Sequence, residues 1–235
     1  PVVFMQHGLE CDSTNWISNL PEESAAFIFA DAGFDVWLGN MRGNTYSKDH
    51  VSINPKKEKF WEFSWDEMAQ FDLQAMIDTV LARTGQPYVY YMGHSQGTLT
   101  MFSKLSYDQA FAPKIKKFFA LAPVGTVKHI KGMIPLMEEL FLPELTLWYD
   151  IVGSGEFLPN NWLMDLIAKY LCGNFIGDIF CDNILFLIAG PEGDQYNATR
   201  TPVYISHTPA GTSTQNIMHW MQMVKAGTAS RYDYG

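Results

Sequence analysis

Over its first half the chain alternates short apolar runs with longer segments of helical spacing. Pro1-Val2-Val3-Phe4-Met5 is apolar at consecutive positions and is closed by Gln6-His7-Gly8. A run of this kind predicts a parallel strand buried on both faces and followed by a loop. From Ser24 to Ala32 apolar residues recur at helical spacing, and the pattern stops at Gly33, a helix-ending residue. Asp35-Val36-Trp37-Leu38-Gly39 predicts a second strand, with a polar loop through Arg42-Gly43-Asn44 behind it. Trp65 to Arg83 predicts the longest helix: Met68, Phe71, Leu73, Met76, Ile77 and Val80 fall on one stripe, and Gly85 lies beyond its end. The β-branched and aromatic run Tyr88-Val89-Tyr90-Tyr91-Met92 predicts a third strand, and Leu99 to Leu105 a helix. Phe118-Phe119-Ala120-Leu121-Ala122-Pro123 predicts a further strand.

Strands alternating with helices imply parallel βαβ units with right-handed crossovers. The alternation holds to about residue 123 and then fails. Residues 126–235 read as mostly helical, with several Pro and Gly breaks. The expected organisation is therefore an α/β core over 1–125 and a helical cap or lid over 126–235. Within the second part, Ile130 to Val152 is strongly apolar but interrupted by Pro135, Pro143, Glu138, Glu139, Glu144 and Asp150. That composition does not suit a membrane span. Two readings stay open for it: a buried pair of cap helices, or a mobile lid whose apolar face meets a lipid surface.

The third strand and the helix after it meet at Gly93-His94-Ser95-Gln96-Gly97. Gly-x-Ser-x-Gly alone is a weak signal, but between a strand and a helix it has the context of a nucleophile elbow. The glycines at 93 and 97 are needed because a side chain there would strike the neighbouring strand or helix. The turn would lift the Ser95 hydroxyl above the carboxyl edge of the sheet and set it at a helix N-terminus, where free N–H groups can receive negative charge. The bland alternative is an ordinary capping serine. The elbow reading defines the fold class as an α/β-hydrolase core, a mostly parallel sheet flanked by helices, with an inserted cap. Because a buried strand rarely opens a domain, the chain is expected to be a fragment lacking the first and last strands of that fold.

Composition narrows the choice of partner. Hydrophobic residues make up 47% and charged residues 17%, which excludes a disordered chain. The net charge of −9, with no basic cluster, speaks against nucleic acid. No apolar run is long enough for a transmembrane segment. Aromatics at 14% and twelve methionines fit either a large core or a greasy ligand site, and composition does not choose between them. The histidines and cysteines lack paired-ligand spacing and no dinucleotide or phosphate-loop fingerprint occurs, so no metal and no cofactor is expected.

Acyl transfer needs a nucleophile, a base, an orienting acid and an oxyanion hole. Ser95 is the nucleophile, and the N–H of Gln96, the residue after it, is one oxyanion donor. The second donor belongs to a loop after an earlier strand. His7-Gly8-Leu9 is so placed, with the Leu9 N–H as donor and Gly8 allowing close approach. His7 precedes the serine and is read as fixing its own loop. After Ser95 come only His129, His207 and His219, none in a strand-terminal context, and none is assigned as base. The catalytic acid and base are expected beyond Gly235.

With these residues assembled, the chain resembles the acid lipase family, the gastric and lysosomal acid lipases. The resemblance runs nearly end to end. It rests on Gln6-His7-Gly8-Leu9 with Thr14-Asn15-Trp16, on Ala30-Asp31-Ala32-Gly33-Phe34-Asp35-Val36-Trp37 with Gly39-Asn40 and Arg42-Gly43-Asn44-Thr45, and on Phe63-Ser64-Trp65-Asp66-Glu67-Met68. Gly93-His94-Ser95-Gln96-Gly97-Thr98, then Ala210-Gly211-Thr212-Ser213 with Gln215-Asn216 and His219-Trp220, complete it. The resemblance implies Ser95 as nucleophile, the N–H groups of Leu9 and Gln96 as oxyanion hole, and a cap beginning near residue 126. It implies neutral lipid substrates (triacylglycerols and cholesteryl esters), work at acid pH, and a transient lipid–water interface as partner. It also implies a disulfide between Cys172 and Cys181, with Ala189 where the family has a third cysteine. Cys11 is additional: a packed loop residue, or a reactive thiol close to the acyl site. Asn197-Ala198-Thr199 is a glycosylation sequon at a position matching one in the family. Disulfide and glycan together imply the secretory route and a lysosomal or secreted protein. Two other readings are carried: a broad carboxylesterase for shorter esters, and a hydrolase-fold lipid-binding protein without turnover.

Overall fold

A computed structural model describes residues 1–129, 153–157 and 197–235. Its centre is a four-stranded, wholly parallel sheet of β1 (Val2–Gln6), β2 (Asp35–Gly39), β3 (Val89–His94) and β4 (Ile115–Leu121), in the order β2-β1-β3-β4. The consecutive apolar residues of β1 are explained by its place: all five of its residues are buried, and strand pleating sends alternate side chains to opposite faces. Val2 and Phe4 join the larger core with Trp61, Phe63, Trp65, Leu73, Ile77, Val80 and Tyr91. Val3 and Met5 join the smaller one with Trp16, Ala26 and Met92.

Helix α1 (Ala25–Asp31) links β1 to β2 and packs on the smaller core. The connection from β2 to β3 is helical from α2 (Trp65–Glu67) through a π-helical stretch at Met68–Asp72 into α3 (Leu73–Thr84). It starts at a capping box, in which the Ser64 hydroxyl accepts from Asp66 N–H and Glu67 Oε2 accepts from Ser64 N–H at 2.7 Å. It stops at Gly85, whose φ of +66° suits a residue without Cβ. The apolar stripe foresaw one uninterrupted α-helix here. The π stretch breaks the ladder and carries Asp72, whose carboxylate accepts from Arg42 N, Nε and Nη2 at 3.0, 2.8 and 2.6 Å. That pair holds the loop after β2 against the helix. Leu73, Ile77 and Val80 are fully buried, each such side chain contributing about 1.5–3 kcal/mol by leaving water.

Helix α4 (Gln96–Tyr107) follows β3 directly, and β4 begins three residues before the strand read from the sequence. In the 126–235 region two elements were not foreseen. β5 (Glu156–Phe157) and β6 (Thr212–Ser213) form a short antiparallel pair, too brief to show a period-two pattern in the sequence. Helices α5 (Thr201–His207) and α6 (Thr214–Ala226) flank β6. Trp220 and Met223 of α6 belong to the larger core, so this helix is built into the body of the protein. Among the described residues no helix is long and apolar enough to cross a membrane. The apolar run Ile130 to Val152, apart from its surroundings, lies outside the described residues, as do Cys172, Cys181 and Ala189.

Candidate active site

The site is built where β3 turns into α4. Ser95 has φ +50° and ψ −117°, a left-handed conformation that costs a residue with Cβ of order 1–3 kcal/mol. What holds it there is backbone packing. A Cβ on Gly97 would stand 2.7 Å from both the Gln6 and His7 carbonyl oxygens, and one on Gly93 would stand 2.8 Å from the Gly97 oxygen. The Ser95 N–H donates to the Leu121 oxygen at 3.0 Å, and the Ser95 carbonyl accepts from Thr98 N–H at 2.8 Å. Tyr91 Oη donates to the Gly97 carbonyl at 2.8 Å. Ser95 stands at the N-cap of α4, yet its side chain makes no capping bond. The hydroxyl is not spent on the helix end.

The loop after β1 faces this turn. A Cβ on Gly8 would lie 3.0 Å from the Ser95 Cβ and 3.1 Å from His94 Nδ1, so only glycine brings this backbone so close to the serine. His7 fixes the loop from behind. Met41 N–H donates to its Nε2 at 3.1 Å, which assigns the proton to Nδ1, and Nδ1 donates to the Gly8 carbonyl at 2.8 Å. Asn44 Nδ2 adds a second contact to Nε2 at 3.1 Å. Burial lowers the His7 pKa to about 4, so the ring stays neutral and both nitrogens stay committed. Leu9 is half-buried, with its side chain against the larger core. His94 points to Asn15 Oδ1 at 3.1 Å, and burial lowers its pKa as well.

How the Gln96 side chain is held could not be read from the chain. It is almost wholly buried. Its Oε1 accepts from Trp220 Nε1 at 2.6 Å and from Asn216 Nδ2 at 3.0 Å, and its Nε2 contacts Met68 Sδ at 3.5 Å. Asn216 in turn accepts from Trp65 N–H at 2.8 Å and donates to Thr212 Oγ1 at 3.1 Å. One buried amide thus joins the elbow, the start of α2 and the start of α6. His219 is committed too: Nε2 donates to the Ser230 oxygen at 2.7 Å, Nδ1 accepts from Ser64 Oγ at 2.9 Å, and the ring stacks on Trp65 at 4.3 Å. Burial lowers its pKa to about 4. His207 closes α5 and His129 lies exposed in a turn. Among the described residues no histidine nitrogen is hydrogen-bonded to Ser95 Oγ.

Cys11 is a free thiol whose pKa is pushed up to about 12, chiefly by burial, so it is not ionised near neutrality. Of the two roles open to it, this environment suits the packed residue. Beside His94 and Leu121 lies a cavity of about 250 Å3 that is also lined by Trp16, Asn19 and Ser24. Trp16 Nε1, Asn19 Oδ1 and Ser24 Oγ, on three of the lining residues, are buried atoms without a hydrogen-bond partner among the described residues. At the sequon, Thr199 Oγ1 donates to Asn197 Oδ1 at 2.6 Å and Asn197 Nδ2 to Glu23 at 3.3 Å, in an exposed setting.

A strained serine between a parallel strand and a helix, with a glycine loop packed on it, is the arrangement of an α/β hydrolase. The sequence pattern of the alpha/beta hydrolase fold matches residues 1–145, and the chain belongs to that family. Within it, the similarity along the whole chain is to lipases, in keeping with the resemblance to the acid lipases. Lipase lipl-5 of Caenorhabditis elegans is 65% identical over 237 residues, covering 100% of this chain and 59% of that protein. Human gastric triacylglycerol lipase is 48% identical over 235 residues, covering 100% and 58%. The chain therefore spans about three fifths of the length of the curated relatives it matches. Among solved structures, an epoxide hydrolase from Vigna radiata superposes with a TM-score of 0.50 at 16% identity over 99% of this chain and 70% of that one, a likeness of fold alone.

Proposed function

We propose that the protein is a serine lipase that cleaves carboxylic esters of neutral lipids, triacylglycerols and cholesteryl esters, through an acyl-enzyme. Ser95 Oγ attacks the ester carbonyl. The tetrahedral oxyanion is received by the N–H groups of Leu9 and Gln96 at the N-terminus of α4, and its collapse expels the alcohol; water then releases the fatty acid. The observation that carries this reading is the strained Ser95, its hydroxyl unused by the helix cap, with Gly8 so close that a Cβ on it would stand 3.0 Å from the Ser95 Cβ. Sequence similarity to lipases supports the lipid substrate. The region from 126 serves as cap, anchored through α6. The Asn197 sequon favours the secretory route and a lysosomal or secreted site of action.

The test is made on the protein expressed from its complete reading frame. A fluorophosphonate is expected to label Ser95 and to fail on Ser95→Ala. Long-chain triacylglycerol emulsion should be hydrolysed faster than short soluble esters. The reverse order supports a broad carboxylesterase. Labelling without turnover of any ester supports a lipid-binding protein, and no labelling of a folded protein removes the nucleophile assignment.

A further inference from the structure

Among the described residues, Glu10, Ser95 and Ala122 combine a positive φ with a side chain, and each lies in the segment that follows a strand of the parallel sheet. Glu10 and Ser95 belong to the two loops of the site. Ala122 has no reactive group, yet it follows β4 directly. The last pair in the register of β3 and β4 is His94 with Leu121, so Ser95 and Ala122 leave adjacent strand ends side by side. Its φ of +46° is unfavourable for a residue with Cβ. The ring of Pro123 restricts the backbone ahead of it and adds to the cost. Strain of this kind persists only where the surroundings enforce it.

What enforces it is a pair of hydrogen-bonded links to the nucleophile turn, one on each side of Ala122. Before it, the Leu121 carbonyl accepts from Ser95 N–H at 3.0 Å. After it, Val124 N–H donates to Thr98 Oγ1 at 2.8 Å, and the same hydroxyl donates to the Ser95 carbonyl at 2.6 Å. Both backbone polar groups of Ser95 are thus engaged by the segment 121–124, the carbonyl through a fully buried threonine. An N–H, a hydroxyl and a carbonyl in series polarise one another, which strengthens the second link. Between the two links lie Ala122 and Pro123. Proline has no N–H to contribute and its φ is fixed at about −65°, so the turn that lets both links close falls on Ala122. The Ala122 side chain is exposed. The position therefore places its demand on the backbone angle and not on the side chain.

We propose that Ala122 is a positioning residue for the nucleophile: its left-handed turn closes a clasp of Leu121, Thr98 and Val124 on the Ser95 backbone, and the clasp fixes Ser95 in the strained conformation that presents its hydroxyl. The proposal rests on the reading of Ser95 as nucleophile. In the complete protein, Ala122→Val, whose branched Cβ resists positive φ, lowers both the fluorophosphonate labelling of Ser95 and kcat on a soluble ester by about tenfold. KM changes by less than about twofold, because the group displaced acts on the transition state. Ala122→Asn, about as large but tolerant of positive φ, keeps both rates within about twofold of wild type. Thr98→Val removes the hydroxyl link with little change of shape and lowers both rates in the same way, whereas Thr98→Ser restores them. That second pair decides the matter should Ala122→Val not fold. One reading needs no turnover: in Ala122→Val, but not in Ala122→Asn, the amides of Ser95 and Val124 lose about tenfold protection from hydrogen exchange, while those of β1 exchange as in wild type. Wild-type rates in Ala122→Val, equal losses in Ala122→Val and Ala122→Asn, or unchanged exchange at Ser95 and Val124 in Ala122→Val overturns the proposal. If exchange behaves as stated while the unsubstituted protein is neither labelled nor able to cleave an ester, the clasp stands and the lipase reading falls.

Discussion

Asn216→Ala isolates the buried amide joint that anchors the elbow. Asn216 is fully buried, and its removal strips an acceptor from Trp65 N–H and a donor from both Gln96 Oε1 and Thr212 Oγ1. Gln96 keeps Trp220 Nε1 at 2.6 Å, so the severe loss falls on Trp65, a backbone donor at the first position of α2 left buried without a partner. Such a group costs about 1–3 kcal/mol, and the void left by the amide adds about 1 kcal/mol. The sum is about 3 kcal/mol, which for a chain of this size lowers the melting temperature by about 6–12 °C. Thermal unfolding followed by circular dichroism and calorimetry measures it, with the exposed pair Gln74–Asp78 as control: Gln74→Ala should cost less than about 0.5 kcal/mol. Asn216→Asp sharpens the test. It preserves the acceptor for Trp65 but turns an oxygen toward Gln96 Oε1 and buries a charge. Its destabilisation at neutral pH should shrink on acidification as the new carboxyl takes up a proton. A melting temperature for Asn216→Ala within about 1 °C of wild type would refute the reasoning, because it would mean that water or a neighbour replaces all three bonds without cost.

Three further outcomes follow from the same geometry. Gly97→Ala places a Cβ 2.7 Å from two backbone oxygens, neither of which can swing away. It should abolish fluorophosphonate labelling of Ser95 at temperatures where circular dichroism still shows a folded protein; undiminished labelling refutes the need for glycine. Cys11, partly buried and with its thiol pKa pushed to about 12, should react with a disulfide reagent at about pH 8 far more slowly in the native protein than after denaturant is added, and equally rapid modification of the native protein refutes the raised thiol pKa. His7 and His219 both have folded pKa values near 4, below the ordinary 6.5. Between those values the unfolded chain binds more protons, so their contribution to stability is complete above about pH 6.5 and is lost as pH falls through about 4. Near pH 5 the two together add about 2.4 kcal/mol per pH unit to the slope of stability. His219→Asn should remove about half of that, and an unchanged slope refutes its neutral, buried state.

How much of this was legible in the sequence follows from the range over which each feature is determined. Val2 and Phe4 facing one core while Val3 and Met5 face the other is a local consequence of strand pleating, and the unbroken apolar run announced it. The elbow was legible for the same reason: Gly93, Ser95 and Gly97 meet within one turn, so their spacing in the chain is nearly their spacing in space. His7 as a loop-fixing histidine could be reasoned from chain order alone, and its ring is bonded to Met41, Asn44 and Gly8. The π stretch at Met68–Asp72 escaped because it leaves the hydrophobic stripe nearly intact and shows only in the bonding ladder. The features missed outright join distant parts of the chain. Gln96 meets Asn216 across 120 positions and Trp220 across 124, and Glu10 meets Gly211 across 201. No periodicity or turn chemistry encodes such pairs. Yet these long-range ties decide whether the local motif works. Gly-x-Ser-x-Gly can raise a hydroxyl, but the two N–H groups that would receive the oxyanion lie on separate loops, and each loop is braced by the 208–220 segment: Leu9 through Glu10, Gln96 through Asn216 and Trp220. The bracing at Gln96 uses neutral amide and indole groups and is indifferent to pH. The bracing at Leu9 uses the Glu10 carbonyl and carboxyl oxygens, which accept from the N–H groups of Ala210 and Gly211.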